Sequence, residues 1–203
     1  MSAGELLERA ASGDPTPGGG SVAAIAGALG LGLVCMALEV SARRTDAAPE
    51  AGTLLGRART LLGVLRAHPD ADVAAFEGYM AALALPKVDA TQKARRREAV
   101  RQATHAATAA PLVAARDLLS GLELAEQAAR LAHRSIVSDV GAGAHLLSAA
   151  LQATLLNVDI NLGSLPIEAG TAAQAERAEL ARQGLIMAEQ VTQTVSGRLT
   201  PAH

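Results

Sequence analysis

The sequence predicts an all-α fold, a single-domain bundle of about six helices. Three observations lead there. Ala, Leu, Arg, Glu and Gln, the strong helix formers, dominate the chain. Aromatic residues, which sheets use heavily, are nearly missing: one Phe, one Tyr and no Trp in 203 residues. Apolar residues also recur at spacings of three and four. Small Ala and Gly side chains allow close helix approach, so the helices should be long and tightly packed.

Taken in order, residues 2–13 (SAGELLERAASG) read as a short amphipathic helix. Leu6, Leu7 and Ala10 form its apolar face, with Ser2 as cap and Gly13 as stop. DPTP then breaks the chain. A second helix covers about 19–41, and its stretch from Val22 to Leu38 carries no charge. That run is short for a membrane span, rich in Ala and Gly, and closed by Glu39. It starts too late, and without a basic leader, for a signal peptide. It is expected to be a core helix surrounded by others, some of which a second subunit would provide. Cys35, the single cysteine, lies within it and reads as a small buried hydrophobe.

A third helix begins near Pro49, a residue suited to a first turn. Leu54, Leu55, Ala58, Leu61, Leu62 and Leu65 repeat along it. HPDAD (68–72) should interrupt or kink it before VAAFEGYMAALAL carries it to Leu85. After the loop PKVDA, with Thr91 as the expected cap, a long helix runs from about 92 to 133, kinked at Pro111. A fifth helix spans about 138–162, with Ser138 or Asp139 at its start, and GSLP ends it. The last covers about 168–196. No repeat or linker divides the chain, so residues 1–203 are expected to form one domain.

The net charge of −2 gives no electrostatic case for nucleic acid. His105, His133 and His145 have no metal-ligand spacing, and HExxH and CxxC are absent, so no metal is expected. GxSxG is also absent. Four places could carry chemistry. Gly18, Gly19, Gly20 and Ser21 offer helix N-terminal N–H groups with little side chain in the way. They are not a P-loop. Lys87 follows Pro86 at a helix end, where it could polarise a carbonyl or meet a carboxylate. The nearby run KARRREAVR (93–101) reads as a solvated helix face. His133, Ser135 and Asp139 surround a helix joint. Asn157 and Asn161, four apart on an apolar helix, need hydrogen-bonding partners or a ligand. Asp139 and Asn157 point the same way but lie roughly 27 Å apart along one helix axis. A ligand touching both would be long, or would be held by two subunits.

The order of motifs, PTPGGGSVAAIAGALG, DVAAFEGYMAALALPK, APLVAA, SDVGAG and NVDINL, resembles the cyclodeaminase/cyclohydrolase family of one-carbon folate enzymes over nearly the whole chain. The resemblance implies a helical homodimer, cytoplasmic and not membrane-bound, with a tetrahydrofolate derivative as substrate and no permanently bound cofactor. It places the family's glycine stretch on Gly18, Gly19, Gly20 and Ser21, its acidic residue before the Phe on Asp72, and its Pro–Lys on Pro86 and Lys87. Its helix-starting Asp falls on Asp139 and its Asn pair on Asn157 and Asn161. Where the family usually carries asparagines before that Asp, this chain reads AHRS, with His133 and Ser135 as the hydrogen-bonding replacements. The expected reaction is conversion of 5-formiminotetrahydrofolate to 5,10-methenyltetrahydrofolate plus ammonia. The alternatives are methenyltetrahydrofolate cyclohydrolysis to 10-formyltetrahydrofolate, or folate binding and assembly without turnover. On this reading Asp139 is the acid–base group, Lys87 its electrostatic partner and Asp72 a second carboxylate. The glycine stretch, His133, Ser135, Asn157 and Asn161 would bind substrate.

Overall fold

The computed structural model describes residues 2–200. These residues contain seven helices and no strand. The short α1 (Ala3–Ala10) buries none of its residues, so six helices build the core. Its start is a capping box, in which Ser2 Oγ accepts from the Glu5 N–H and the Glu5 carboxylate accepts from the Ser2 N–H.

At the centre, α2 (Gly19–Ala42) lies antiparallel to α6 (Val137–Leu162). Their backbones touch at Gly30 and Gly143: a Cβ on Gly143 would stand 2.5 Å from the Gly30 carbonyl oxygen. This contact gives a physical reason for the wealth of Gly and Ala in both helices. α5 (Ala90–Leu131) and α7 (Ile167–Leu199) also pack antiparallel to α6, while α3 (Glu50–Leu65) covers α2 and α5. Leu31, Leu38, Leu118, Leu122, Leu147 and Leu151 fill the space between them. By length and composition α2 is apolar enough to cross a membrane. Here it packs against α3, α4, α5 and α6. Cys35 is buried, and burial pushes its thiol pKa up, as suits a packing residue.

Three boundaries differ from the sequence reading. HPDAD, expected to interrupt or kink the helix, instead opens the next one. The chain breaks at Arg66–Ala67, and α4 (His68–Ala84) starts on His68, because Pro69 is pre-shaped for a first helical turn. α5 is capped by Asp89, whose carboxylate accepts from the Gln92 N–H at 2.7 Å, and not by Thr91. Asp139 lies in the first turn of α6, which has no side-chain cap. There its charge suits the positive end of the helix dipole.

α4 stands apart from the other core helices. It packs on α5 and on the start of α2, and Ala82 is its only buried residue. Its remaining apolar side chains flank clefts or face solvent.

Candidate functional site

The first turn of α2, the first half of α4 and the C-terminal half of α6 converge at one end of the bundle. Ser21 is buried, and its hydroxyl donates to Asp72 Oδ2 at 2.7 Å. Gly20 makes the meeting possible. A Cβ there would run into Asp72 Oδ1 and would stand 2.5 Å from Asn157 Nδ2. Glycine is required here for close approach, and the backbone conformation is ordinary. Gly19 has open space where its Cβ would be, and a Cβ on Gly18 would meet only its local Pro15 carbonyl at 3.3 Å. Of the three glycines, then, only Gly20 admits the polar groups of other helices. A methyl group at Gly19 would touch nothing within 4 Å.

Asp72 and Asn157 form part of the floor of a cleft of about 390 Å³ between α4, α5 and α6. Phe76 and Tyr79 stand on its α4 wall. Asp72, Phe76 and Tyr79 are spaced at i, i+4 and i+7, so α4 turns all three to one side. They include the chain's single Phe and single Tyr. Phe76 remains 39% exposed, although the core has no aromatic residue at all. The sequence reading missed this pair as site residues. The signal was the rarity of the aromatic residues together with their phase relative to Asp72.

Asn161 also lines the cleft, but the fold uses its amide. Pro111 inside α5 has no N–H, so the Ala107 carbonyl loses its helical donor. Asn161 Nδ2 donates to that carbonyl at 3.1 Å and to the Asn157 carbonyl at 2.9 Å. Asp159, between the two asparagines, turns outward to the Arg177 guanidinium, with both hydrogen bonds at 2.8 Å. The polar stretch NVDINL is thereby divided between site, helix repair and surface ion pair.

The other expected site residues lie elsewhere. His133 and Ser135 sit at the α5–α6 joint, at the far end of α6 from Asn157. The His133 N–H donates to Ser41 Oγ, and its Nδ1 lies 2.8 Å from Ser135 Oγ. Asp139 is one turn further on. Lys87 is exposed in the α4–α5 loop. Lys87 and Asp139 flank opposite ends of the 42-residue α5, roughly 60 Å of helix. The expected Asp139–Lys87 partnership is therefore not made within one chain. Asp72 is the expected carboxylate that the fold joins to the glycine turn and an asparagine. Among the described residues, no group of three or more His, Cys, Asp or Glu side chains is arranged to hold a metal.

A carboxylate, an amide and two aromatic rings thus line one open cleft of a helical bundle, a combination suited to a flat, polar small molecule. The family model described as formiminotransferase-cyclodeaminase matches residues 2–180, and the chain belongs to that family. It is 32% identical to a methenyltetrahydrofolate cyclohydrolase of Methylorubrum extorquens, over 96% of this chain and 95% of that one. It is 34% identical to a formimidoyltransferase-cyclodeaminase of Gallus gallus, over 75% of this chain but 29% of the longer bird protein. A crystal structure of a formiminotetrahydrofolate cyclodeaminase from Thermotoga maritima superposes with a TM-score of 0.84, covering 97% of this chain and 96% of that one. At 23% identity that likeness shows the shared fold.

Proposed function

We propose that this chain is a one-carbon folate enzyme whose acid–base group is Asp72. The observation that carries the reading is the cleft in which Asp72 shares one helix face with the chain's only two phenyl-type rings. A pterin ring needs a flat apolar wall and polar groups at its edge. Phe76 and Tyr79 provide the first, and Asn157 and Asp72 the second. Family membership supports the same substrate class.

The leading reaction is closure of 5-formiminotetrahydrofolate. N10 attacks the formiminium carbon, and a C–N10 bond forms as the bond to the terminal nitrogen breaks. Asp72 takes the proton from N10 and returns it to the departing nitrogen, which leaves as ammonia. The negative carboxylate also stabilises the methenyl cation produced. The second reading is hydrolysis of 5,10-methenyltetrahydrofolate, favoured by the whole-length relative of that name. Water adds to the methenyl carbon as Asp72 takes one of its protons; Asp72 then returns that proton to N5 as the C–N5 bond opens, and the remaining hydroxyl proton leaves to solvent as the formyl C=O of 10-formyltetrahydrofolate forms. Both readings place the protein in the cytoplasm, with folate as substrate and no resident cofactor.

Purified protein given each folate in turn tests the assignment. Gain of methenyl absorbance with ammonia release marks the first reaction, and loss of that absorbance marks the second. Silence on both, with folate still bound, would leave a binding or assembly role. Phe76→Ala should raise KM roughly tenfold with kcat little changed, because stacking holds ground and transition states alike. An unchanged KM would remove the aromatic wall from the argument.

We further propose a homodimer formed on the outer side of the α2–α6 pair. Val22, Leu29 and Met36 recur every seven residues along α2 and are exposed, as are Leu146 and Leu156 on α6. An apolar face of this extent suits a second copy of the chain. Lys87, His133, Ser135 and Asp139 would enter the reaction only from that copy. Light scattering should return twice the 20.5 kDa chain mass, and a value of one chain mass would overturn the dimer.

A further inference from the structure

Beside the cleft, sharing Asp72, Pro111 and Asn157 with it, lies a second and much smaller pocket of about 20 Å³. His68, Asp72, Thr154 and Asn157 line it below the Gly20 backbone. Its size suits one water molecule and little more. Its walls also carry polar atoms without partners. Five hydroxyl residues are buried among the described residues: Ser21, Ser41, Thr104, Thr108 and Thr154. Ser41, Thr104 and Thr108 donate to the carbonyl one turn back, and Ser21 donates to Asp72. Thr154, only 3% exposed, does neither, and its Oγ1 has no hydrogen-bond partner. The buried Asn157 Nδ2 has none either. Asp72 receives Ser21 on Oδ2, while its Oδ1 and Asn157 Nδ2 both crowd the place a Gly20 Cβ would take. His68 is anchored from behind, with its Nε2 2.8 Å from Asp117 Oδ2.

We propose that this cavity is a single-water site, and that its water fixes the Asp72 carboxylate from the side opposite Ser21. The proposal rests on Asp72 being the acid–base group. The water accepts from Asn157 Nδ2 and donates to Asp72 Oδ1, and the Thr154 hydroxyl and the His68 imidazole complete its shell. Four polar partners lie within the roughly two to four that a buried water takes. Held by Ser21 on one oxygen and by the water on the other, the carboxylate cannot swing when the cleft fills. Thr154 and His68 are then positioning residues, and Asp117 orients His68. None of the three touches the substrate carbon.

The test is a high-resolution crystal structure of the wild-type protein and of Thr154→Val and Thr154→Ser, with kinetics on both folates. The wild type and Thr154→Ser should each hold one ordered water within hydrogen-bond reach of residue 154 and Asn157. Thr154→Val should lose it. Its kcat should fall about tenfold with KM within about twofold, and Thr154→Ser should recover most of the loss. His68→Gln, which can still donate to Asp117, should show the same kcat-only loss, and it carries the kinetic test if Thr154→Val does not fold. A dry cavity in the wild type overturns the proposal. So does a Thr154→Val or His68→Gln variant with wild-type kcat. Failure of the folate assignment looks different: the wild type would turn over neither folate while the water stayed in place.

Discussion

Asp72→Asn should lower kcat by about 10²- to 10⁴-fold, the range of a lost general acid–base group, while leaving the helical content and thermal midpoint close to wild type. The substitution is isosteric. Ser21 Oγ can still donate to the carbonyl oxygen of the new amide, so the contact now made at 2.7 Å survives in form. What disappears is the negative charge and the ability to take a proton from N10 or from water. Because the amide can still hydrogen-bond at the pterin edge, KM should move far less than kcat. Asp139→Asn is the necessary contrast. Asp139 lies about five turns of α6 away from Asn157, beside the His133–Ser135 joint. If Asp139→Asn removed turnover and Asp72→Asn did not, the acid–base role would pass to the far end of the bundle.

The choice between these two carboxylates marks where the sequence stopped being legible. The helices were readable because periodicity, Pro and Gly mark them locally, so the all-α bundle and its long α5, with Pro111 inside it, follow from composition and spacing. Motif order identified the family. The site needed distances between helices, which no spacing along the chain contains. Ser21 and Asp72 are 51 residues apart and share a hydrogen bond, while Asp139 and Lys87 flank a single helix and never meet. Asn161 shows the same limit in another form. Its expected ligand role competes with the carbonyl that Pro111 leaves without a donor, a need visible only once α5 and α6 lie side by side. The His68–Asp117 pair was hidden for the same reason: a histidine 49 residues from its carboxylate looks, in sequence, like part of a breaker. Phe76 and Tyr79 were the exception. Their scarcity and their phase with Asp72 could have been read directly.

Gly20→Ala tests whether the glycine-rich opening of α2 is a folding device or part of the chemistry. The added methyl group would overlap Asp72 Oδ1 and stand 2.5 Å from Asn157 Nδ2, well inside any normal contact. Gly20 is already helical, so alanine suits the backbone and should favour α2 by up to about 1 kcal/mol. Stability and activity are therefore expected to move differently. Overpacking typically costs about 1–3 kcal/mol, part of which the helix gain offsets, and the added methyl group can push Asp72 and Asn157 together toward the cleft that both border. Yielding costs catalysis instead: a displacement of about 1 Å at the carboxylate is enough to reduce kcat roughly 10²-fold. Gly19→Ala, with nothing within 4 Å of its added Cβ, should show the helix gain without the loss of turnover. A Gly20→Ala enzyme as fast as wild type would mean that Asp72 need not sit against the α2 backbone to work. The convergence of α2, α4 and α6 would then be a feature of packing, and the role of Asp72 would rest on Asp72→Asn alone.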